Sequence, residues 1–126
     1  MIKSLYERMP MKIVEWLTGR FSRRGKAIAI YKRGMAKARK KNHAGAIEDY
    51  TTAIDMPEPP PDLRAMTLYN RAIVYVTTGE ESKGIADLNA ILAMSEMLIN
   101  VKCMARQKLA RIAAHPPEHN RRRNSA

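Results

Sequence analysis

Apolar residues recur along this chain at spacings of three and four, the period of a helix with one face turned to a core. Residues 1 to 25 carry Ile2, Leu5, Met9, Ile13, Trp16, Leu17 and Phe21 on one such stripe, with Lys3, Arg8, Lys12, Glu15 and Arg20 largely outside it. Pro10 either kinks this helix or begins its main part, because proline is tolerated in a first turn. Gly19 and Gly25 mark its possible ends. Lys26 to Lys41 reads as the next helix, with Ile28, Ile30, Tyr31, Gly34, Met35 and Ala38 as its apolar contacts. Asn42-His43 is a turn signal, and Arg39, Lys40 and Lys41 suit the negative end of the helix dipole. Ala44 to Met56 follows as a helix burying Ala46, Ile47, Tyr50, Ala53 and Ile54.

The run Pro57 to Pro61 ends that helix, since proline cannot continue the hydrogen-bond ladder. It reads as a stiff linker, or else as a polyproline ligand for a small recognition domain. Asp62 is placed to cap a helix running to about Thr78, which is apolar on more than one side and therefore central. Gly79 closes it, and Glu81 or Ser82 opens a fourth helix with Ile85, Leu88, Ile91 and Leu92. A fifth helix is predicted over Ser95 to Ala114. Leu98, Val101, Met104, Ala105, Leu109 and Ile112 form its apolar side, and Lys102, Arg106, Lys108 and Arg111 its solvated face. Pro116-Pro117 stops it, and the polar tail 115–126 has the composition of a disordered segment.

Two of these helix pairs are copies of one pattern. A shift of 38 residues takes Ile30 to Leu68, Gly34 to Ala72, Ala46 to Gly84, Tyr50 to Leu88 and Ala53 to Ile91. Small residues fall on small ones and large apolar ones on large. A period of this size marks a repeat whose single unit is too thin to bury its own apolar face. With Tyr75 and Gly79 added, these positions make the chain resemble the tetratricopeptide repeat (TPR) family. Lys37 stands where that family has an aromatic, and Arg33 and Arg71 where Leu is usual. The resemblance implies an all-α fold, a right-handed α-solenoid of two repeats over residues 26–114 with flanking helices. The expected division of the chain is an amphipathic basic helix (1–25), the helical domain (26–114) and the basic tail (115–126).

In the family the first helix of each repeat lines a concave groove. Carried over position by position, this implies a groove built from Tyr31, Lys32, Met35 and Arg39, with Ile28, on the first repeat. Met66, Tyr69, Asn70 and Ile73, with Thr77, line it on the second. Some members clamp a chaperone-tail carboxylate with Lys and Asn on one helix and Asn on the next. Asn70 matches, but Tyr31 and Met35 stand where Lys and Asn are needed, so no such clamp is expected. The implied occupant is a segment of another protein with apolar anchors and some acidic residues, because tyrosines give contact area and Lys32 and Arg39 charge. Alternatively, residues 1–25 pack into the groove or cap the repeats.

Charge adds two competing readings. The net charge is +11, and residues 1–26 alone carry seven Lys or Arg against two Glu. A basic excess favours anionic partners. The N-terminal stripe therefore also fits a helix lying on an anionic membrane, and the whole chain a nucleic-acid-associated protein. Homo-oligomerisation is a further way to cover the repeat ends. The single Cys103 excludes an internal disulfide framework, fits a reducing, cytoplasmic setting, and is expected to be a small buried hydrophobe. His115 and His119 are separated by two prolines and share no helix face, so no metal site is expected. No phosphate loop, nucleophile elbow or paired-carboxylate pattern is present, so neither a cofactor nor an enzyme is expected.

Overall fold

The computed structural model describes residues 11–57 and 59–115, with side chains from residue 23 onward. Five α-helices succeed one another: α1 (Met11–Arg39), α2 (His43–Asp55), α3 (Pro61–Thr77), α4 (Glu81–Leu92) and α5 (Ile99–Ala114), with a 3-10 turn at Glu96–Leu98. No strand occurs among the described residues. α1 with α2 and α3 with α4 form two helix hairpins, and α3 also packs against α1, α2 and α5. This is an all-α, TPR-like helical fold with α3 at its centre.

The first helix differs from expectation. Gly19 and Gly25 lie inside α1, which runs unbroken from Met11 to Arg39. Glycine costs a helix only about 1 kcal/mol, and the good formers Arg23, Arg24, Lys26 and Ala27 flank Gly25. Residues 11–25 therefore continue in line with 26–39 and do not fold back over them. Side chains of the Trp16 stripe and residues 1–10 lie outside the described residues, as does the tail 116–126.

The turns repeat with the same 38-residue period. α3 closes on Gly79 at φ 85°, with Glu80 N donating to Tyr75 O at 2.8 Å. α1 closes on Lys41 at φ 61°, with Asn42 N donating to Lys37 O at 2.9 Å. A left-handed conformation is free for glycine and strained for lysine. Asn42 then caps α2, its Oδ1 accepting from Gly45 N at 3.1 Å. Asp62 does not cap α3. The helix begins at Pro61 behind Pro60, with no side-chain cap, because proline's missing N–H leaves one orphan donor fewer. Asp62 sits in the first turn, where its charge faces the positive end of the dipole.

Close approach between helices depends on small residues. Ala46, Ala65, Ala72 and Ala105 are all fully buried at helix contacts. A Cβ added at Gly34 would meet the Tyr50 ring at 2.8 Å, so glycine there is what admits the tyrosine. Gly84 plays the equivalent part against Val76 and the Ala72 carbonyl. Ile54, Leu68, Leu88, Ile91, Val101 and Ile112 make the larger core, across α2 to α5.

On α5 two expectations exchange places. Lys102 is buried (1% exposed) and Cys103 is exposed, as in part is Met104. The buried line runs through Leu98, Val101, Lys102, Ala105, Leu109 and Ile112. One further residue, 103, is 100° away from 102 around the helix and faces solvent. Lys102 fits this line because its aliphatic stem fills the core while its Nζ reaches Glu96 at 2.9 Å. That pairing holds the Glu96 carboxyl below the usual range. A buried charge is costly even when paired. Lys102→Met is therefore expected to be neutral or to stabilise by up to about 2 kcal/mol, as urea denaturation would report. A clear loss of stability would show that the ammonium group itself is needed.

Candidate functional site

The two helices that open the repeats, α1 and α3, lie side by side and are joined by one polar contact. Asn70 Nδ2 donates to the Tyr31 hydroxyl at 2.7 Å. The Tyr31 ring also leans on Tyr50 of α2, with centroids 6.1 Å apart at 41°. Burial pushes the Tyr31 hydroxyl above its ordinary pKa, partly offset by the Asn70 bond. The group is therefore neutral at physiological pH, and its proton is available to donate.

Next to this contact is a cleft of about 200 Å³. Ile28 and Tyr31 of α1 form one wall, Leu63 and Met66 of α3 the other, and Pro60 closes it at the linker. Arg24 and Asp62 stand in the same lining with opposite charge. The sequence reading missed the contribution of Pro60, Asp62 and Leu63. The proline run there reads as a linker or a polyproline ligand, and that Pro60 shares a cleft with α1 is a tertiary fact.

Of the residues expected in a groove, the structure brings Tyr31, Asn70 and Met66 together. Met35 is half-buried against Ala46, Tyr50 and Val74, and Tyr69 half-buried against the larger core. Ile73 is half-buried, and Lys32 and Arg39 are exposed. Among the described residues no side-chain hydrogen bond or ion pair links Lys32, Arg39 or Tyr69 to another groove position, and Ile73 is linked only through its carbonyl, which accepts from the Thr77 hydroxyl at 2.8 Å. Asn70 spends one of its two amide N–H groups on Tyr31.

Beside this face, two ion pairs repeat with the chain. Arg33 holds both oxygens of Asp49 at 2.8 and 3.0 Å, and Arg71 both oxygens of Asp87 at 2.7 and 2.8 Å. These are the same pair moved by 38 residues, and they explain why arginine stands where an apolar residue is usual. The shift that carries Asp49 to Asp87 was the available sequence signal. Lys37 adds a contact to Asp49 at 3.1 Å. The Arg33 guanidinium, helped by Lys37 and opposed by burial, holds the Asp49 carboxyl below the usual carboxylate range. Among the described residues no group of three or more His, Cys, Asp or Glu is placed to hold a metal ion. No single described helix is long and apolar enough to cross a membrane.

No protein-family model matches the chain, and no solved structure does. It is similar to Photosystem I assembly protein Ycf3 of Synechococcus sp. (strain WH7803), 34% identical over 65 residues, or 52% of this chain and 37% of the relative. The same protein of Parasynechococcus marenigrum (strain WH8102) is 34% identical over 64 residues, or 51% of this chain and 36% of the relative. The chain thus spans just over a third of the length of these curated relatives. Over about half its own length, this TPR-like helical chain is distantly similar to these assembly proteins.

Proposed function

We propose that this chain is a non-enzymatic interaction module whose α1–α3 face binds an extended or helical segment of another protein. The observation that carries this reading is the cleft where Ile28, Tyr31, Leu63 and Met66 converge from both repeats, spanned by the Tyr31–Asn70 bond. An apolar anchor entering it gains the most from burial, since a few buried anchors supply most of the energy of an interface. Lys32 and Arg39, both exposed on α1, attract acidic residues flanking that anchor. The similarity to assembly proteins supports a partner that is a subunit of a larger complex.

The test is affinity capture from the source lysate, with nuclease and salt controls, by the native chain and two variants. Lys32→Glu with Arg39→Glu changes only exposed side chains. Tyr31→Ala with Tyr69→Ala removes contact area. Each is expected to weaken the captured protein by about tenfold or more. The charge variant should do so with an unchanged melting temperature. Capture that survives both variants in folded protein would refute the groove.

A further inference from the structure

A second face of α1, roughly opposite the cleft, has the geometry of a helix-docking site. The 38-residue shift shows what such a site holds. On α3, Thr67 is buried, and Val74 and Arg71 face α2. Val74 packs with Ala46 and Tyr50, and Arg71 Nη1 donates to Thr51 Oγ1 at 3.0 Å. The equivalent positions on α1 are Ala29, Ala36 and Arg33, and all three are exposed. The Arg33 side chain is 61% exposed where that of Arg71 is 16% exposed. Where α2 lies on α3, no described helix lies on α1.

This face is basic. From Trp16 to Ile47 the sequence has ten Lys or Arg and no Asp or Glu. Arg23, Lys26, Arg33, Lys37 and Lys40 recur at helical spacing along it, over about 26 Å. Asp49 beneath the row engages Arg33 and Lys37 and fixes their positions. Between the cations the side chains of Ala29 and Ala36 are small, so a helix backbone has room to approach.

We infer that this α1 face docks an acidic α-helix of a partner protein, in the place α2 takes on α3. Carboxylates three and four residues apart on such a helix repeat at the same rise as the cations of α1. A second copy of this chain fits poorly, because the opposite end of the molecule exposes Arg106 and Arg111. A bilayer has little to bury, since the exposed apolar positions here are alanines. The surface is separate from the α1–α3 cleft, and its failure would leave that reading intact.

The probe is a synthetic alanine-based helix with Glu at spacings of three and four, titrated against isotope-labelled full chain by NMR at low salt. Its Gln analogue, anionic vesicles and duplex RNA are run in parallel. Shifts are expected in α1 between residues 23 and 40. Lys26→Glu with Lys40→Glu should weaken binding by about tenfold or more. Arg106→Glu with Arg111→Glu on α5 should leave it unchanged, and Ala36→Phe should block it without changing charge. The Tyr31→Ala variant should still bind. Equal loss from both charge pairs, undiminished binding by Ala36→Phe, or equal binding of the Gln peptide would overturn the inference. So would vesicles or RNA binding this face more tightly than the peptide.

Discussion

Tyr50→Ala is expected to destabilise the chain by about 3–5 kcal/mol, the range for truncating a large buried aromatic. Tyr50 is 2% exposed and is among the largest fully buried side chains. Its ring lies over Gly34, beside Tyr31, and joins Val74 and Ala46 in the smaller core, so it holds α1, α2 and α3 at once. Gly34 and Ala46 have no side chain to refill the space, and Tyr31, Met35, Ile47 and Val74 are held by their own packing, so the cavity closes only in part. The loss is a large part of the 5–15 kcal/mol that stabilises a domain of this size. It corresponds to a fall in melting temperature on the order of 10–20 °C. Differential scanning calorimetry measures it directly. A loss below about 1 kcal/mol would mean that the first hairpin opens easily and that the Gly34 contact is not a constraint.

The second large effect is expected at Arg71. Arg71→Ala leaves Asp87, 6% exposed, without either hydrogen bond to its carboxylate. Removing one partner of a buried pair strands the other charge, which here costs about 2–4 kcal/mol. Arg71 also loses its bond to Thr51 and its stacking over Tyr75 at 5.7 Å. The matched change Arg33→Ala is expected to cost only a fraction as much. Arg33 is mostly exposed, and Lys37 remains 3.1 Å from Asp49. Arg71→Met combined with Asp87→Leu should recover most of the stability, since an apolar pair of similar size avoids the desolvation cost. Equilibrium denaturation of the four proteins decides the matter. Equal losses at Arg33 and Arg71 would show that pairing, and not burial by the neighbouring repeat, sets the cost.

The same comparison separates what is local from what is tertiary. The sequence by itself determined the helices, their order and the repeat. Apolar spacing, proline stops and Gly79 act within a few residues, and a 38-residue period needs only the chain to be compared with itself. It also determined Gly34 as a point of close approach and α3 as the central helix, because composition reports whether a helix is covered on one side or all round. That Tyr31, Asn70 and Met66 lie close together follows from the family resemblance carried over position by position, and the structure places them side by side.

Only the tertiary structure decided the rest. It continued α1 through Gly25, since a helix end depends on a balance of about 1 kcal/mol that composition does not resolve. It buried Lys102 and exposed Cys103, because the face a helix turns inward is chosen by its neighbours, and a long aliphatic stem serves as well there as a true hydrophobe. It folded Pro60 against α1 to close the cleft. It gave Arg33 and Arg71, equivalent under the 38-residue shift, different exposures, because α2 covers one and no described helix covers the other. Periodicity is written along the chain, but coverage depends on what lies across from it in space.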